Sequence, residues 1–91
     1  MTDKNQHPLE ASFVTLAMSI ASAAVMSLGL APNPANNETK VDLDMARFNI
    51  DLLDILQKKT KGNLVNEEQE FMDRVLADLK MRFVEVSSHG K

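Results

Sequence analysis

Few residues in this chain have the types and spacing that chemistry requires. The two histidines, His7 and His89, stand near opposite ends of 91 residues, far from any paired acid or nucleophile in sequence. Catalytic and metal roles need a rigidly held partner, so both are read as surface histidines. Asp42, Asp44, Asp51 and Asp54 are spaced as oxygen donors to a divalent cation could be. However, Asp42 stands where a helix cap is needed. Asp51 and Asp54 have Arg47 and Lys58, respectively, as helical i, i+4 partners. No EF-hand glycine, HExxH, phosphate-binding glycine loop or GxSxG pattern occurs. Cysteine is absent, which removes thiolate zinc sites, disulfides and a thiol nucleophile together. The expectation is a non-enzymatic protein with no cofactor and no metal.

Charge narrows the partners. The formal net charge is −3 and no tail or face concentrates Lys and Arg, whereas nucleic-acid binding depends on neutralising phosphates. Nucleic acid is therefore not expected as a partner. Lys58, Lys59 and Lys61 fall in the last turn of an expected helix, where cations suit the negative end of the dipole.

The elements that would position any site are helical. No Gly or Pro interrupts Leu9 to Leu28, and Pro8 suits a first helical turn, where its missing N–H is not needed. Gly29 and the run from Leu30 to Asn37, with two prolines and three asparagines, end that helix. A second helix starts at Asp42 as N-cap and runs to about Lys61, with Gly62 as the left-handed C′ residue. Asn66 is the expected cap of a third helix, with Gln69 as its capping-box partner. The reading is all-α: three helices over about 8–28, 42–61 and 66–86, in one domain spanning 1–91. Flexible ends are expected at about 1–7 and 87–91.

The faces of these helices differ. In the third, Met72, Val75, Leu76, Leu79, Phe83 and Val86 recur on one side, an ordinary amphipathic pattern. In the second, Arg47, Asp51, Asp54 and Lys58 share a narrow polar face flanked by two apolar stripes. Leu43, Ala46, Ile50 and Leu53 form one stripe; Met45, Phe48, Leu52, Ile55 and Leu56 form the other. An apolar arc of about 220° is wider than a single neighbouring helix requires. Met45, Phe48, Leu52 and Ile55 are accordingly the candidate interaction surface. The first helix is apolar or weakly polar all round, with a Ser12-Thr15-Ser19-Ser22 stripe opposite Ala17, Ala21 and Ala24, and is expected to be buried and central.

Burial can be in lipid or in protein. Ala11 to Ala31 is long enough to span a bilayer, and Ala17-x-x-x-Ala21 is a small-xxx-small spacing. Against this stand four hydroxyl residues between Ser12 and Ser22, no Trp or Tyr, and weak, acidic flanks. The same acidic N-terminal stretch argues against a signal peptide cleaved near Ala21-Ser22-Ala23. A soluble bundle is preferred, its hydroxyls bonding back to carbonyls one turn earlier.

Several segments together resemble a known family. They are Leu28-Gly29-Leu30 with Pro32-Asn33-Pro34, then Val41-Asp42-Leu43, Ile50-Asp51-Leu52-Leu53 and Lys59-Thr60-Lys61-Gly62-Asn63-Leu64. Glu67-Glu68 and Leu79-Lys80-Met81-Arg82-Phe83-Val84 complete the set. Over roughly Phe13 to Glu85 the chain resembles the bacterial domain-of-unknown-function family eighteen forty-four. That resemblance implies a small bacterial protein, cytoplasmic, and transfers no activity or site residues. The Pro32-Asn33-Pro34 and Thr60-Lys61-Gly62-Asn63 loops are read as structural connections, with partner docking as the alternative.

Two helices cannot cover a helix that is apolar all round and also a second one with two stripes. A homodimer solves both problems. The expected function is a helical oligomerisation or protein-interaction module, with a second protein as a further possible partner. The alternative is a small membrane-associated protein anchored by the helix over 9–28.

Overall fold

The computed structural model describes residues 11–89, which form three α-helices: α1 (Phe13–Ser27), α2 (Leu43–Lys59) and α3 (Asn66–His89). Among the described residues the only β-type pairing is two isolated bridges, Leu28 with Val41 and Asn33 with Glu38. The all-α, three-helix expectation holds.

α1 begins later than the apolar run suggested. Ser12 is extended and its hydroxyl accepts from the Thr15 amide at 3.1 Å, which fixes the first turn at Phe13 instead of residue 8. Pro8, the expected opening residue, lies outside the described residues. At the other end the Gly29 amide donates to Met26 O (3.0 Å) and the Leu30 amide to Val25 O (3.1 Å). These two bonds are a Schellman motif, with Gly29 at φ +77°. A Cβ there would come within 2.6 Å of Val41 Cγ2.

α2 is capped as expected: Asp42 Oδ1 accepts from the Met45 amide at 3.1 Å. It ends at Thr60, whose hydroxyl donates back to Leu56 O at 2.7 Å. Gly62 has the positive φ expected of it, +86°, but lies two residues past the cap. It is the third residue of the turn closed by Asn63 N–H to Thr60 O at 2.8 Å. α3 departs from the expected cap. Asn66 is already helical and makes no side-chain hydrogen bond among the described residues. The Val65 amide instead donates to Glu68 Oε1 (3.0 Å), so Glu68 supplies the reciprocal arm. Gln69 reaches Asp73 (3.0 Å). α3 also runs through residues 87–89, expected to be a flexible tail, because nothing before Gly90 breaks it. Residues 1–7 and 90–91 lie outside the described residues.

The core is small. It consists of Ala17, Ala21, Ala24 and Leu28, then Ala46, Ile50 and Leu53, then Met72, Leu76 and Leu79; Leu28, Leu53 and Met72 are its largest fully buried side chains. Of the two stripes of α2, the one with Ala46, Ile50 and Leu53 faces inward, and the apolar row of α3 supplies Met72, Leu76 and Leu79. α1 is the exception: in this chain it buries only its alanine line, while Val14, Leu16 and Met18 are exposed. Small side chains let α1 approach α2 and α3 closely, and that approach needs one face only. The molecule is a plate of 46 × 34 × 15 Å, about as thick as one helix packed upon another.

Candidate interaction surface

The surface is built by the way α1 and α2 are tied together. The Leu28–Val41 bridge and the Asp42 amide to Ser27 O bond (2.7 Å) hold the end of α1 against the start of α2. Between these anchors the loop bonds to itself. Asn33 N–H donates to Glu38 O (2.8 Å), Asn33 Oδ1 accepts from the Ala35 amide (2.9 Å), and Asn36 Oδ1 accepts from the Glu38 amide (3.0 Å).

α3 lies against one flank of α2. Lys80 of α3 pairs with Asp54 at 3.7 Å, and Gln57 Nε2 donates to Asp73 at 2.6 Å. Asp54 also pairs with Lys58 (3.3 Å), and Arg47 with Asp51 (4.0 Å), so the polar face foreseen for α2 is the flank near α3. The opposite flank carries the candidate residues. Met45, Phe48 and Ile55 are 46–53 % exposed and Leu52 is half-buried. Leu56, expected beside them, is half-buried and packs against the core.

α1 extends this flank. Leu16 is exposed, and Ile20 and Ala23 follow at i+4 and i+7, both half-buried. An open groove of about 290 Å³ lies between the two helices, lined by Ala23, Met26 and Ser27 of α1, Met45 and Asn49 of α2, and the polar Asn33, Glu38, Lys40 and Asp42 of the connection. Asn49 is the one buried polar side chain of the described residues, at 7 % exposure, and its Nδ2 donates to Met45 O at 2.9 Å. Sequence reasoning passed over it, although its position three residues after Ala46 and four before Leu53 places it on the inward face. A second apolar groove, about 390 Å³, runs between Met18, Val25 and Met26 of α1 and Pro32 and Pro34 of the loop.

No acidic or basic residue occurs from Ala11 to Asn37. Taking helix lengths and diameters together, the α1–α2 flank has a total footprint of roughly 450–500 Å², within the range of the largest surface patch of an ordinary monomer, a patch that is often functional. Among the described residues no group of three or more His, Asp or Glu side chains is placed to hold a metal. His7 lies outside the described residues, and His89 closes α3. α1, at 15 residues, spans about 22 Å against a hydrocarbon core of about 30 Å. No helix of the described residues is long and apolar enough to cross a membrane. That removes the support for the membrane-anchor alternative.

The fold and this surface define a small all-α protein built as a three-helix plate with exposed apolar side chains along the open flank of α1 and α2. A family model described as a domain of unknown function (DUF1844) matches residues 10–85, and the chain belongs to that family. No curated protein and no solved structure matches it.

Proposed function

We propose that the chain is a non-enzymatic, cytoplasmic oligomerisation or protein-interaction module that associates through the apolar flank of α1 and α2. The observation carrying this reading is exposure: Met45, Phe48 and Ile55 on α2 and Leu16 on α1 are open to solvent, while α3 meets α2 at Asp54 and Gln57. The largest apolar patch of a small domain is often its functional one. The dimensions agree. A radius of gyration of 14.7 Å exceeds the roughly 12 Å of a compact domain of this length.

Light scattering over a hundredfold concentration range around micromolar tests the reading. A dimer or larger species is expected. Phe48→Glu is expected to yield a folded monomer, whereas Val84→Glu, the same change at an exposed site on α3, is expected to leave the mass unaltered. A strictly monomeric wild-type mass throughout the range overturns the proposal.

A further inference from the structure

Resting on that reading, we propose that the partner is a second copy of this chain, whose α2 packs antiparallel against α2 about a two-fold axis between Asp51 and Leu52. The charges on α2 fall into two sets. Arg47, Asp51, Asp54 and Lys58 all have ion-pair partners within the chain. Asp44 and Lys59 are exposed, and neither makes an ion pair among the described residues. They stand at opposite ends of the open flank.

Their spacing is symmetric. Asp44 precedes Phe48 by four residues and Lys59 follows Ile55 by four, so each charge lies one turn beyond an exposed apolar side chain on the same row. Turning the helix end for end about the midpoint between Asp51 and Leu52 exchanges Phe48 with Ile55 and Asp44 with Lys59. An antiparallel copy therefore sets Phe48 against the partner's Ile55, and Asp44 against the partner's Lys59, twice over. A parallel copy would oppose like charges at both ends. An isologous interface requires this kind of self-complementarity; Asp51, which the axis brings beside its own copy, is offset by its pair with Arg47, and α1 carries no charge.

Charge exchange tests the geometry on the full-length chain, by sedimentation equilibrium in low salt. Asp44→Lys and Lys59→Asp are each expected to weaken dimerisation at least roughly tenfold, since two attractive pairs become repulsive at once. The chain carrying both substitutions is expected to return to within about threefold of wild type. A purely helix-dipole role for the two charges predicts the reverse, with the double variant the worst of the three. Far-UV circular dichroism follows helix content in each. A cysteine placed at Leu52, near the axis, is expected to form a disulfide dimer under mild oxidation, and one placed at Met45, far from it, is not. Unweakened single variants, an unrescued double variant, or equal cross-linking at both positions overturns the antiparallel geometry while leaving a dimeric wild type intact. A monomeric wild type removes the proposed function itself.

Discussion

Two glycines with the same backbone sign do different work. Gly62 has no neighbour within 4 Å of where a Cβ would stand, so Gly62→Ala is expected to cost only the left-handed conformation, about 1 kcal/mol. Gly29 adds a collision with Val41, a stiff β-branched side chain, and Gly29→Ala is expected to cost about 2–4 kcal/mol. Urea denaturation of the two variants compares them directly, and equal losses would mean that Val41 yields. At the start of α3 the roles of neighbours are likewise separable. Glu68→Ala is expected to cost about 0.5–1 kcal/mol through the lost bond to the Val65 amide. Asn66→Ala is expected to stay within about 0.5 kcal/mol of wild type. The sequence points to Asn66 because asparagine is a good cap and Gln69 stands three residues on. The fold shifts the motif by one residue, and such shifts turn on backbone angles that side-chain types do not encode.

At the scale of the helices, legibility followed polarity. α2 and α3 carry charges on one side, so the periodicity of Ala46, Ile50 and Leu53, or of Met72, Leu76 and Leu79, identifies the buried face directly. The outer stripe of α2 was visible for the same reason. α1 has no charge to orient it, and hydrophobicity alone suggested burial on every side. What distinguishes its inner face is size: Ala17 and Ala24 are fully buried, while Leu16 and Met18 are exposed. Ser19 and Ser27 meet their hydroxyl bonds within the helix, at Thr15 O and Ala23 O. The alanine line makes a prediction of its own. Ala17→Leu forces extra volume into the closest approach of the helices and is expected to destabilise by about 1–3 kcal/mol. Ser22→Ala, on the exposed side, is expected to change stability by less than about 0.5 kcal/mol. A chemical melt in which both behave alike would mean that α1 does not pack through its alanines.

The whole molecule is thin, and thinness limits how much apolar surface one copy can hide. With Leu28, Leu53 and Met72 the largest fully enclosed side chains among the described residues, much of the stabilising area lies at the margins, as expected for a chain near the lower end of self-sufficient domains. Stability then becomes a property of the solution as well as of the sequence. If association is coupled to folding, mass action raises the melting temperature with protein concentration, and the free energy gained grows with the logarithm of the ratio of concentration to Kd. Calorimetry between about one and one hundred times Kd is expected to show an increase equivalent to roughly 2–3 kcal/mol, which is about 10–20 °C for a domain of this size. A melting temperature independent of concentration would show that the plate stands alone. Otherwise the 15 Å thickness acts as an abundance gauge: the protein persists where enough of it accumulates and is lost to unfolding and proteolysis when diluted.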